Sequence, residues 1–244
     1  MKNLRKKIVI SSIVLSIVIG ASSVTRGYFI ENENEIWGEK LKEDYDENVE
    51  QKNDGDYKVS LVGECSENTV DAKDVYAAGN DILVTDQEIQ QAEDYYVLNG
   101  AARSKAKEKA DEHVKEQNAL YVEAVKHGFD VTSEEIKEYL KELKIMLNSA
   151  ENQEEVKDIM DGFESEEEYW EYEYYVYQKL LPVQKYVKHL EEQFKQKQKS
   201  NMTTEEIENK WDLKFEKIKD KLVDKQNFDE INNASEIDKE FKME

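Results

Sequence analysis

The sequence predicts an all-α protein, and three observations carry that expectation. Chain breakers are scarce, with one Pro and nine Gly in 244 residues, whereas Glu, Lys, Ala, Leu and Gln, which tolerate helix well, are abundant. From Thr85 onward the apolar residues recur every three or four positions, which places them along one stripe of a helix. Capping boxes of the form S/T-x-x-E punctuate the same region: Thr85 with Glu88, Thr132 with Glu135, Ser165 with Glu168, and Thr203 with Glu206. In each, the hydroxyl accepts from an early backbone N–H while the Glu reaches back to the cap residue.

Residues 1–25 form a targeting segment. Lys2, Arg5, Lys6 and Lys7 precede an uncharged run from Ile8 to Thr25. A signal-peptide core is about 7 to 15 residues and a membrane span about 18 or more, so the run fits a cleaved signal or an uncleaved hydrophobic anchor. Ala21 and Ser23 are placed for a cut after Ser23. In either case the basic front stays inside and the remainder is delivered out of the cytoplasm. No Cys follows the run closely enough for a lipid anchor, and Glu64 stands before Cys65 where a small residue belongs.

Residues 26–81 carry no sustained period and read as a polar spacer, disordered in part, with a turn at Asn53-Asp54-Gly55-Asp56. The alternation of Tyr57, Val59 and Leu61 allows one short strand. Residues 82–225 read as a helical domain. Ile89, Ala92 and Tyr96 share one helix face; Ala106, Ala110, Val114, Tyr121 and Val125 a second; Ile136, Leu140, Leu143 and Leu147 a third. A short helix at Glu154 to Met160 precedes a long one from Glu166 to about Lys197, kinked at Pro182, with Tyr169, Tyr172, Val176, Leu180, Val183, Val187, Leu190 and Phe194 on one side. A final packed helix carries Ile207, Trp211, Phe215, Ile218 and Leu222, and residues 226–244 form a weakly ordered tail. Gly128 and Gly162, each followed by Phe, are expected as left-handed C-terminal caps.

The charge of −22 makes nucleic acid a poor partner, because acids outnumber and interleave with the Lys and Arg that a phosphate backbone needs. One Cys rules out an intramolecular disulfide. His113, His127 and His189 are isolated, with no HExxH and no Cys companion, and are expected as surface or half-buried residues without metal. Asp44, Asp46 and Asn48 begin like a calcium loop, but Val49 stands where Gly is required and Gly55 where the bidentate Glu belongs. The acidic runs Glu151 to Glu155 and Glu164 to Glu168 suit helix N-termini. With no phosphate loop, nucleophile elbow or triad legible, the chain is expected to be no enzyme and to need no cofactor.

The segment Ile82 to about Phe194 resembles the N-terminal helical domain of the SurA and PrsA class of extracytoplasmic foldases, related to the peptide-binding part of trigger factor. The resemblance is carried by Ile82-Leu83-Val84-Thr85-Asp86-Gln87-Glu88-Ile89, by Glu123-Ala124-Val125-Lys126-His127-Gly128-Phe129-Asp130-Val131-Thr132-Ser133-Glu134-Glu135-Ile136, and by Gly162-Phe163-Glu164-Ser165-Glu166-Glu167. It covers somewhat less than half of the chain. It implies an irregular helical bundle that binds unfolded or exported polypeptides. Members that isomerise proline bonds add a domain of about a hundred residues, and Gln196 to Met202 leaves no room for one, so isomerase activity is not implied.

The candidate site is the aromatic crowd Tyr169 to Tyr177. Trp170, Tyr174, Tyr177 and Leu181 form a second apolar face of the long helix, about 135° from the main stripe at 100° per residue. Either the helix is central and sandwiched, or this face lines a peptide-binding groove, for which Tyr and Trp supply rigid contact area. The corresponding functions are a chaperone that takes many unfolded chains, and a membrane-anchored scaffold that docks one folded partner.

Overall fold

The computed structural model describes residues 33–48, 74–148, 150, 152–198 and 201–231. The targeting segment, the turn at 53–56, the strand expected at 57–61, Cys65 and residues 232–244 lie outside them. The described chain is mostly helix, as the periodicity predicts. Its helices are α1 (Glu33–Asn48), α2 (Asp86–Leu98), α3 (Arg103–Lys126), α4 (Ser133–Leu147), α5 (Gln153–Met160), α6 (Glu166–Gln196) and α7 (Thr204–Gln226). Three short strands, β1 (Val75–Ala78), β2 (Leu83–Thr85) and β3 (Asp229–Glu230), accompany them. Among the described residues no helix is long and apolar enough to cross a membrane.

The chain divides into two units. The described part of unit 1 comprises residues 33–48 and 130–182; that of unit 2 comprises 74–129 and 183–231. Residues 82–225, read as one helical domain, contribute to both units, and α6 runs from one into the other. The helix passes through Pro182, which removes one N–H from the backbone ladder at the residue where unit 1 gives way to unit 2.

Unit 1 contains the main departure from the sequence reading. Within the segment read as a spacer, α1 presents Trp37, Leu41 and Tyr45, one turn apart and all buried, to α5 and to the start of α6. Isolated helices of about 12 to 15 residues are marginal in water, and Gly38 weakens this one by a further ~1 kcal/mol; α1 therefore owes its stability to docking. Gly38 itself explains how it docks. A Cβ there would lie 2.3 Å from the carbonyl oxygen of Ile159, and a Cβ on Gly162 would lie 2.3 Å from the carbonyl carbon of Gly38. The two backbones touch because neither residue has a side chain.

Gly162 therefore serves a different purpose from the one its sequence context suggests. Gly100, Gly128 and Asn227 take positive φ among the described residues, and Gly162 does not. At Gly128 the expected cap is present in full: Phe129 N–H donates to Ala124 at 2.9 Å and Gly128 N–H to Val125 at 2.9 Å, the paired bonds of a Schellman motif. Gly100 closes α2 in the same way, through Ala101 to Tyr96 and Gly100 to Val97. Thr85, Thr132 and Thr203 each complete both halves of their capping box. Ser165 completes one half. It accepts from Glu168 N–H at 3.2 Å, while the Glu168 carboxylate accepts from Glu164 N–H instead.

Unit 2 is built on the α2–α3 hairpin and a three-stranded antiparallel sheet ordered β2-β1-β3. Ala77, Val84, Ile89, Ala92, Ala110 and Val114 form its core, with Tyr76, Tyr96 and Phe228 packed against it. The start of the expected tail is ordered: Asp229 and Glu230 pair with Ala78 and Ala77, and Ile231 N–H donates to Tyr76. The turn between β1 and β2 is tied to the end of α7. Asn80 N–H donates to the Gln226 carbonyl at 2.7 Å, and the buried Gln226 amide both accepts from Asp81 N–H and donates to the Asp81 carboxylate. The nearby Lys126 ammonium, at 2.7 Å, holds that carboxyl below its usual range.

The two glycine roles separate on mutation. Gly128→Ala meets open space and bears only the left-handed backbone penalty, about 1 kcal/mol, whereas Gly162→Ala forces Cβ into the α1 backbone and should cost more, about 1 to 3 kcal/mol. Urea unfolding of both variants beside the wild type checks this; equal losses would mean that α1 is not held by the Gly38–Gly162 contact.

Candidate functional site

The aromatic crowd lies on the first half of α6, within unit 1, and its two apolar faces are both covered. On the main stripe Tyr169 and Tyr172 are fully buried and Val176 and Leu180 nearly so. On the second face Trp170, Tyr177 and Leu181 are buried, and Tyr174 is half-buried. Helix α4 covers this second face. The rings of Tyr139 and Tyr177 lie 5.0 Å apart, the Lys144 ammonium sits 4.5 Å above the Trp170 ring, and Lys137 lies 5.9 Å from that of Tyr174. Trp170 Nε1 also donates to Glu166 one turn earlier, at 3.0 Å. Trp170, Tyr177 and Leu181 are therefore withdrawn from the surface, while Tyr174 stays partly exposed.

The opposite side of the same helix receives α1. Tyr45 packs edge-on to Phe163 with ring centroids 6.2 Å apart, and Phe163 meets Tyr169 at 5.4 Å and Tyr172 at 5.8 Å. Two hydroxyls finish the contact: Tyr45 donates to Glu171 Oε2 at 2.8 Å, and Tyr172 donates to Asp44 Oδ2 at 2.9 Å. Sequence reasoning missed this surface. A usable signal was present in the four-residue spacing of Trp37, Leu41 and Tyr45, but it was diluted by six intervening polar or glycine positions and was not announced by an S/T-x-x-E box.

A third feature is Glu173, which is fully buried on α6. Neither carboxylate oxygen has a hydrogen-bond partner among the described residues, and the Tyr169 hydroxyl one turn earlier is likewise unsatisfied. Burial disfavours the charged form and pushes the Glu173 carboxyl up to about 8; the adjacent Tyr169 hydroxyl opposes this only in part. The same burial, with Glu173 beside it, raises Tyr169. Burial thus favours the neutral acid beside the phenol.

The histidines are scattered. His113 is buried, deeper than expected, edge-on to Tyr96 at 6.3 Å. His127 stacks on Tyr186 at 5.3 Å with Nδ1 2.8 Å from the Glu123 carbonyl, and His189 lies 5.2 Å from Phe129. No group of three or more His, Cys, Asp or Glu among the described residues is arranged to hold a metal ion. Of the acidic runs, Glu154 and Glu155 sit in the first turn of α5 and Glu166, Glu167 and Glu168 in that of α6, where the helix dipole favours negative charge. A shallow depression lined by Lys157, Met160, Asp161, Phe163, Glu164, Ser165 and Glu166 adjoins the second of these.

Comparison of the chain with known protein families, with characterised proteins and with solved structures finds no match.

Glu173 gives unit 1 a measurable pH dependence. Its folded value is raised above the ordinary 4.5 to about 8, so between those limits the unfolded chain ionises first and stability falls as pH rises, by at most about 1.4 kcal/mol per pH unit. Below pH 4.5 and above pH 8 this contribution is flat. Glu173→Gln should remove the decline and be more stable than the wild type at pH 8. Urea midpoints at pH 5, 6.5 and 8 measure the difference, and parallel curves for the two proteins would refute it.

Proposed function

We propose that this chain is a non-enzymatic polypeptide-binding protein of the chaperone type. It acts outside the cytoplasm on unfolded or exported polypeptides, without isomerase activity, ATP or cofactor. The observation that carries this reading is the seating of α1: a segment distant in sequence from the rest of unit 1 is held there as a helix by aromatic rings and backbone contact. Supporting it is the sequence resemblance to the SurA and PrsA class, which is carried in part by the segment Glu123 to Ile136. The extracytoplasmic placement rests on the basic and then apolar N-terminus. The protein touches the membrane only through that segment, and only if it is uncleaved. The acidic surface argues against nucleic acid.

One observation favours a second reading. Packing of Trp170 and Tyr177 against α4, with Leu181 also buried, withdraws most of the second aromatic face from many unrelated clients, which suits a membrane-anchored scaffold that docks one folded partner. Light scattering separates the two. Two unrelated unfolding proteins, mixed with the chain from Glu31 onward at several-fold molar excess, should both aggregate less. Undiminished aggregation of both overturns the chaperone reading and leaves the scaffold.

A further inference from the structure

We propose that Glu173 is a proton-operated latch of unit 1: while its carboxyl keeps its proton the first half of α6 stays enclosed, and when the proton leaves, unit 1 opens locally while unit 2 stays folded. The latch stands apart from the polypeptide-binding reading and operates whatever the protein binds.

Its position singles Glu173 out. At about 100° per residue, Tyr169 and Tyr177 lie about 40° to either side of it on α6, and Tyr172 and Tyr174 about 100° to either side. Glu173 is therefore at the middle of the buried arc, between the side that meets α1 through Tyr172 and the side that meets α4 through Trp170 and Tyr177. It is fully buried, and neither of its oxygens has a hydrogen-bond partner among the described residues.

The elements packed around it bring charge, but not to this carboxyl. On α4, Lys137 and Lys144 sit over the rings of Tyr174 and Trp170, and Tyr139 packs on Tyr177. On α1, Asp44 and Tyr45 bond Tyr172 and Glu171, and Lys42 pairs with Asp46. On α5, Lys157 pairs with Glu154. On α6 itself, the Tyr169 hydroxyl adjoins Glu173 and Glu166 accepts from Trp170. Unit 2 treats its withdrawn acids differently: Lys219 bonds Glu116 at 2.8 Å, and Lys225 bonds the buried Glu123. Charge is compensated there, whereas an ionised Glu173 inside the closed unit bears its full desolvation cost.

That cost sets the direction of the response. In the closed unit burial raises the carboxyl from 4.5 to about 8, and water restores the ordinary value on opening. Opening therefore releases a proton, and between those limits each pH unit favours the open form by up to about tenfold. Below pH 4.5 and above pH 8 the dependence is flat. Pro182 supplies a boundary for the opened part, since the backbone ladder of α6 lacks an N–H there and unit 1 gives way to unit 2.

Hydrogen exchange of the full chain at pH 6, 7 and 8 tests the latch, with each amide's rate referred to its intrinsic rate at the same pH. Protection of amides 170–180 should fall about tenfold per pH unit while that of α2 and α3 holds, and Glu173→Gln should abolish the fall. Protection of 170–180 that is constant with pH, or that falls alike in α3 or in the variant, overturns the proposal. Should the variant fail to fold, the carbon-13 resonance of the Glu173 carboxyl in the unsubstituted chain decides: a titration midpoint above about 6.5 supports the latch, and one at or below that value overturns it.

Discussion

The burial of α6 on more than one side is the constraint on which the rest of the molecule depends. A helix with Tyr169, Tyr172, Val176 and Leu180 along one line and Trp170, Tyr177 and Leu181 along another cannot leave either face in water. In unit 1, α4 covers one line and α1 closes over the other. In unit 2 the later part of the helix buries Val183, Tyr186 and Val187, and Phe194 meets Trp211 of α7 at 5.7 Å. The short helices and capped turns serve to bring those covering surfaces round.

This arrangement has a polar cost at Glu173. A carboxyl with no hydrogen-bond partner in the core is stable only as the neutral acid, and its position one turn from Tyr169 and Tyr177 makes the least hydrated stretch of α6 the one that responds to protons. A helix that only needed to pack would carry Leu or Met there. The structure offers no packing reason for the acid.

Helices α2 to α7 were legible in the sequence because each combines a stripe of apolar residues with a chemical stop or start. Thr132 and Gly128-Phe129 are bonded as their spacing predicts. What escaped was set by partners far along the chain. Helix α1 has few apolar residues, and is helical because α5 and α6 accept it. Strand β3 consists of Asp229 and Glu230, both exposed and poor strand formers, and exists only because the edge of β1 is available. Gly162 read as a helix terminator because local sequence cannot distinguish a glycine needed for its φ from one needed for its missing Cβ. Of the candidate site, the existence of two apolar faces was readable; which element covers each was not, since that depends on tertiary contacts between segments about forty and 130 residues apart, the scale on which pattern rules are silent.

The pairing of β1 with both β2 and β3 bears on the order in which the protein can assemble. Residues 75–78 are among the first of unit 2 to be made, and residues 229–231 are close to the last, with all of residues 130–182 of unit 1 between them. A chain made from its N-terminus must therefore hold β1 with one edge open until residues 229–231 have been added. Closure of such a distant pair is slow compared with the local α2–α3 hairpin. Until β3 pairs, the protein passes through a stage in which it is itself an incompletely folded polypeptide, of the kind it is proposed to bind.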